Sequence, residues 1–222
     1  VFEAVGACAA GRMSEAELDA LERVACPGAG ACGGQFTANT MAMAFETMGI
    51  SPLGSGSVPA LAADKAETAR RCGALVVDLV RRDLRPGQLL TRAALENATR
   101  LVVASGGSTN AVLHLLAVAR EAGVDFTIDD IDRLSAETPV LADLKPGGRF
   151  FAPDLHRAGG VALLARRLIE AGLVDGRTPT VTGRTLAEEA MAMQEAEGQE
   201  VVRPASRPLK PSGGLAILRG RL

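Results

Sequence analysis

The chain has 222 residues, 47% hydrophobic and 23% charged, with a net charge of -2, so it holds enough apolar material for a core and is not a disordered tail. The interspersed charge and the absence of Trp and Tyr exclude the basic stripe and stacking platforms of a nucleic-acid binder. No apolar run reaches the roughly 20 residues of a bilayer span, and Val1-Phe2-Glu3-Ala4 is not a signal-peptide start, so a cytoplasmic protein with no membrane partner is expected.

Length alone allows one large domain or two. Cys8, Cys26, Cys32 and Cys72 are expected as reduced thiols or metal ligands, because a chain with an ordinary core does not need disulfide staples. Val at position 1 and the stop just after the apolar run Leu215-Ala216-Ile217-Leu218 suggest an internal piece of a longer protein.

In chain order, Ser14 and Glu17 have capping-box spacing, and Leu18, Leu21 and Val24 recur at helical intervals, predicting a helix over 14–24 that Pro27 ends. Cys26-Pro27-Gly28-Ala29-Gly30-Ala31-Cys32-Gly33-Gly34 is a tight loop that lets backbone approach a ligand. It feeds a helix from Thr37 to Met48, with Gly49 at the C-cap. After the Ser/Gly/Pro stretch 51–59, one long helix is expected over 60–82.

Further helices are expected over Thr91–Ala104 and 109–122, separated by the Gly-rich Ser105-Gly106-Gly107-Ser108-Thr109-Asn110. The same patterning predicts helices over Asp129–Ser135, Asp154–Ala171 with Gly159-Gly160 inside, and Thr185–Glu195. Thr180–Thr182 and 214–218 suit short strands. The charged, proline-containing region Glu195–Pro211 is the best candidate for a linker, with a second domain beginning near Gly213.

Cys26 and Cys32 lie in a loop that opens a helix, where exposed N–H groups and the helix dipole stabilise a metal-binding thiolate. The plainer reading is a pair of buried structural cysteines, which applies more strongly to Cys8 and Cys72. The spacing matches neither zinc ribbons nor ferredoxin runs, so any cluster must draw ligands from outside the segment. Ser105–Asn110 suits a carboxylate or phosphate at a helix N-terminus and serves equally as a helix cap. His114, between Val112-Leu113 and Leu115-Leu116, reads as a core histidine, and Asp154 beside His156 as a capping residue.

The run Ala25-Cys26-Pro27-Gly28-Ala29-Gly30-Ala31-Cys32-Gly33-Gly34-Gln35-Phe36-Thr37-Ala38-Asn39-Thr40-Met41 closely resembles the second cysteine signature of the dihydroxy-acid dehydratases. Three further blocks resemble the family in its order: Gly106–Leu115, Asp154–Val161 and Pro211–Gly220. Together they span nearly the whole chain.

The resemblance implies an α/β fold. Residues 1–200 would be the mainly helical part of the family's N-terminal cluster-binding domain, and 201–222 a linker and first strand of a C-terminal β-barrel. It also implies dehydration of 2,3-dihydroxy-3-methyl acids to 2-oxo acids in valine, isoleucine and leucine biosynthesis, with an iron–sulfur cluster, 2Fe–2S or 4Fe–4S, and Mg2+. Cys32 falls on one of three cluster cysteines and Cys26 on a loop position, while Ser108, Thr109 and Asn110 are candidate substrate contacts.

The Cys-Asp-Lys motif of the family is missing from these residues, and its serine base and magnesium-binding glutamate lie in the C-terminal domain. These residues alone are therefore expected to be inactive. Gln35 stands where many relatives carry Met, which puts fine substrate contacts in doubt. The expected partners are a small dihydroxy acid and further copies of the chain, as homodimer or homotetramer. The rival readings are a sugar-acid or 6-phosphogluconate dehydratase, and a non-catalytic helical module.

Overall fold

A computed structural model describes residues 2–25 and 32–220; Cys26 and most of the first glycine loop lie outside them. The described residues form eleven helices and four isolated β-bridges, in keeping with the expected helical dominance. In chain order these are α1 Phe2–Ala9, α2 Glu15–Val24, α3 Thr37–Thr47, α4 Lys65–Arg82, α5 Pro86–Leu89, α6 Arg92–Ala104, α7 Asn110–Glu121, α8 Ile128–Glu137, α9 Ala152–Ala158, α10 Gly160–Glu170 and α11 Leu186–Met191. Among them, no helix is long and apolar enough to cross a membrane.

Local chemistry explains most boundaries. Ser14 and Glu17 form the expected capping box at α2. Thr91 accepts the Ala94 N–H to start α6, and Gly49, at φ 78, takes the left-handed turn after α3. Apolar periodicity carries no signal for α1 or α5, and neither was expected.

Two apolar clusters form the core. One gathers Leu155, Val161, Leu164 and Leu168 of α9 and α10 with Leu186 of α11, Leu141 and Val202. The other gathers Met41 and Ala44 of α3, Met48 just beyond it, Leu95 and Val102 of α6, Leu115 of α7 and Leu134 of α8. α3 and α6 contribute to both, so α3 is fixed along its length, and each buried leucine in the clusters contributes ~1.5–3 kcal/mol.

Several expectations are corrected. The helix expected from residue 60 begins at Lys65, because the carbonyls of Pro59 and Ala62 are taken by turn bonds from Ala62 and Lys65. The expected helix Asp154–Ala171 divides into α9 and α10, since Gly159 at φ 132 and Gly160 at φ 70 cannot continue a right-handed helix. α11 stops at Met191, short of Glu195, whose carboxylate turns back to Arg166 and Arg167 at 2.8 and 2.6 Å.

Neither expected strand pairs as one. Thr180–Thr182 sits in a turn in which the Thr180 N–H reaches the Arg184 carbonyl. In 214–218, Leu215 and Ile217 alternate inward against the second cluster, the period-two pattern of a strand, but the Gly214 N–H goes to the Val103 carbonyl of α6 at 2.9 Å and no β-bridge forms among the described residues. The stretch 195–211 is tied to the body, with Val201 and Val202 buried and bridges joining Ala142 to Val202 and Val140 to Lys210.

Candidate functional site

Cys32 emerges from the loop into solvent, so the reading of it as a buried structural cysteine is set aside. The backbone after it is pinned from three sides. The Gln35 N–H donates to the Lys145 carbonyl at 2.6 Å and the Ala152 N–H to the Gly33 carbonyl at 2.8 Å. The Asn39 amide, one turn into α3, donates to the carbonyls of both Cys32 and Gly34 at 2.7 Å. Gly34 admits no side chain, since a Cβ there would stand 2.7 Å from the Phe36 ring and 3.1 Å from the Lys145 carbonyl oxygen.

Beside the Cys32 thiol lies a cavity of about 260 Å3. Asn39 and Ala42 of α3 form its floor, Ser57 and its neighbours from 56–60 one wall, Lys65 at the start of α4 an edge, and Pro153 at the start of α9 the opposite wall. Lys65 is held there by its Nζ, which donates to the Val58 carbonyl at 2.9 Å. A thiol, an ammonium and a hydroxyl thus share one enclosure with apolar walls.

Gln35 turns inward, where its amide donates to Ser105 Oγ at 3.2 Å and lies 3.6 Å from Met43 Sδ. The Gln35 side chain is therefore committed to tying the two glycine loops together.

The second loop meets α3 rather than the cavity. Thr40 Oγ1 accepts the Ser108 N–H at 3.0 Å and donates to the Gln35 carbonyl at 3.2 Å. Thr37 Oγ1 lies 3.1 Å from Ser108 Oγ and accepts from Asn110 Nδ2 at 2.9 Å. Ser108 Oγ also accepts the N–H of Asn110, the first residue of α7, at 3.2 Å, and Thr109 is left exposed at the N-cap. Ser108 and Asn110 are brought to the N-terminus of α3, five residues beyond Cys32, without lining its cavity.

Replacing Thr40 by Val keeps the shape but leaves the Ser108 N–H and Gln35 carbonyl without partners in a buried position. We expect Thr40→Val to lower unfolding free energy by about 1–3 kcal/mol, read by urea titration. A loss below the scatter of surface substitutions would show that the two loops are not held by this hydroxyl.

The remaining candidates serve structure. His114 is exposed on α7, contrary to the core reading, because none of the described residues covers its face of the helix. Asp154 accepts the Phe151 N–H at 2.7 Å and pairs with Arg157, the capping role expected, and His156 is half-buried. Cys8 and Cys72 are half-buried on α1 and α4 rather than fully buried. Among the described residues no three His, Cys, Asp or Glu side chains converge as a metal site, so Cys32 can supply one thiolate and not a complete ligand set. Asn39, Ser57 and Lys65 were not singled out from the sequence; the Gly/Ser/Pro run 51–59 signalled only a break.

Residues 1–189 match the profile of the family described as dihydroxy-acid/6-phosphogluconate dehydratase N-terminal. Over its whole length the chain is 61% identical to a dihydroxy-acid dehydratase of Koribacter versatilis, 54% to one of a Roseiflexus species and 53% to one of Thermus thermophilus. It covers 39%, 40% and 40% of those proteins respectively, so it spans about 40% of the length of the relatives it matches. With the cysteine loop, the helix behind it and the matched profile in agreement, the chain belongs to the dihydroxy-acid/6-phosphogluconate dehydratase family.

Proposed function

We propose that the full-length protein is a hydro-lyase that converts 2,3-dihydroxy-3-methyl acids, such as 2,3-dihydroxyisovalerate, to 2-oxo acids in valine, isoleucine and leucine biosynthesis. The observation that carries this reading is the exposed Cys32 beside a cavity open to solvent, in a chain whose relatives are named dihydroxy-acid dehydratases. Cys32 supplies one thiolate to an iron–sulfur cluster, a soft ligand suited to iron, and the other cluster ligands, those of Mg2+ and the catalytic base belong to the segments its relatives have in addition.

When bound, such a cluster supplies an open iron as Lewis acid for the departing 3-hydroxyl. Asn39 fixes the Cys32 backbone, and with it the direction of the thiol. Lys65 brings to the cavity a positive charge suited to the substrate carboxylate. Thr109 and Asn110, exposed on the second loop, together with Ser108 are assigned to the substrate side once the enzyme is assembled. Residues 1–200 are assigned to an N-terminal domain and 201–222 to the passage into a C-terminal β-barrel. A cytoplasmic homodimer or homotetramer completes the reading, supported by the exposed Val76, Val77 and Val80 on α4.

Full-length protein purified without oxygen should form 2-oxo acid from 2,3-dihydroxyisovalerate and not from 6-phosphogluconate. Turnover of the sugar acid alone would move the protein to the other branch of the family. Iron-loaded protein inactive on both would support the non-catalytic module.

A further inference from the structure

The charged, proline-containing stretch 195–211 carries arginines to which the proposed reaction assigns no role. With α10 and Arg149 it encloses a cavity of about 570 Å3, which shares no lining residue with the one beside Cys32. Arg149, Arg167, Arg203 and Arg207 line it, against the carboxylates of Glu195 and Glu200. Both carboxylates are already engaged. Glu195 is held by Arg166 and Arg167 at 2.8 and 2.6 Å and by the Gln199 amide at 2.8 Å. Glu200 stands 3.6 Å from Arg149, which pairs more closely with Asp143 at 2.6 Å. Arg203 and Arg207 are exposed and have no carboxylate partner among the described residues. Glu195 serves two guanidiniums, and Glu170, at 3.6 Å from each, is beyond hydrogen-bond reach, so the Nε atoms of Arg166 and Arg167 are buried without a partner among the described residues.

We propose that this cavity is an anion site that takes a compact ligand through a diphosphate group, with Arg203 and Arg207 as its main contacts and Arg149 and Arg167 adding to the positive field. The site is independent of the dehydratase reading.

The backbone that presents these arginines is fixed. Val202 is buried, its N–H and carbonyl are both bonded to the Gln199 amide at 2.9 and 2.8 Å, and it bridges to Ala142. The next N–H, that of Arg203, donates to the Leu141 carbonyl at 2.9 Å, and the Arg207 N–H closes a turn on the Pro204 carbonyl at 2.9 Å. Less ordering of backbone therefore remains to be done when a ligand arrives. A guanidinium offers paired donors that match two oxygens of one phosphate, so two uncommitted guanidiniums on one cavity suit two linked phosphates. No aromatic side chain lines the cavity to stack a ring, which makes the anionic group the feature that is read.

Calorimetric titration of the full-length protein with inorganic pyrophosphate, in buffer without added Mg2+, tests the site. One pyrophosphate per chain should bind, about tenfold or more tighter than orthophosphate, because only the diphosphate engages both guanidiniums. Arg203→Gln and Arg207→Gln should each weaken binding by about tenfold, the loss expected for a hydrogen bond to a charged group. Arg70→Gln, which removes an arginine paired with Glu67 outside the cavity, should leave it unchanged. Adenosine diphosphate binding only as tightly as pyrophosphate would show that the diphosphate alone is read, and tighter binding that the ligand is a nucleotide; either result supports the site. No binding to the full-length protein, as when another part of its chain covers the arginines, overturns the proposal. So does an affinity that is the same for orthophosphate and pyrophosphate, or one that both cavity substitutions leave unchanged. The titration uses neither dihydroxy acid nor turnover, so its failure leaves the dehydratase reading standing, and an inactive enzyme that binds pyrophosphate does the reverse.

Discussion

Replacing Cys32 by Ser should bring dehydratase activity of the full-length protein to background and lower its bound iron and sulfide, with little change in unfolding free energy. The hydroxyl is a harder and far less acidic group than the thiol and does not replace a thiolate on iron. The fold should tolerate the change because the Cys32 side chain is exposed and Asn39 holds its carbonyl, not its sulfur. A surface substitution of this kind stays within about 0.5 kcal/mol. Cys8→Ser and Cys72→Ser, on α1 and α4, are the matching controls and should retain iron and turnover. Full iron content and activity in Cys32→Ser would remove this residue from the cluster and leave the family's chemistry to other ligands. The measurement pairs iron and sulfide analysis with turnover under argon, so loss of cluster is separated from loss of fold.

Gly49→Ala should strongly destabilise the described body. Gly49 turns the chain at the end of α3 with φ 78, and an added Cβ would lie 2.4 Å from the Pro179 carbonyl oxygen and 3.1 Å from Thr180 Cα. The left-handed conformation costs an L-residue about 1–2 kcal/mol and forced overlap about 1–3 kcal/mol, so a loss of roughly 2–5 kcal/mol is expected in denaturant unfolding. Relief by backbone movement is restricted because the Val181 N–H donates to the Gly49 carbonyl at 2.8 Å, locking the 179–181 segment to the turn. Gly73→Ala provides the contrast: it sits within α4 with nothing inside 4 Å of the added carbon, and should stabilise by about 1 kcal/mol through helix propensity. Equal effects at the two glycines would refute the tight seating of the α3 C-terminus.

What could be read from the sequence lies where the deciding interactions are close along the chain. Ser14 and Glu17 are three residues apart, and their reciprocal bonds start α2 whatever surrounds it. Thr91 before α6 and Gly49 after α3 act within a single turn, and the cysteine run pointed to the family through adjacent residues. Tertiary structure decided the rest, because those outcomes depend on groups distant in sequence. His114 is exposed because none of the described residues covers its face of α7, and Glu195 lies beyond the helix with two arginines of α10 drawing it back. The cavity joins Cys32, Ser57, Lys65 and Pro153 from separate segments that meet around α3, whose position is set by packing against both α6 and α10. The surroundings of Glu46 were equally hidden: a glutamate on a helix is ordinary in sequence, and only the folding of 54–57 over it buries the carboxyl among the Gly54 and Gly56 N–H groups. Backbone bonding and apolar periodicity are local and legible; burial and convergence belong to the packed whole.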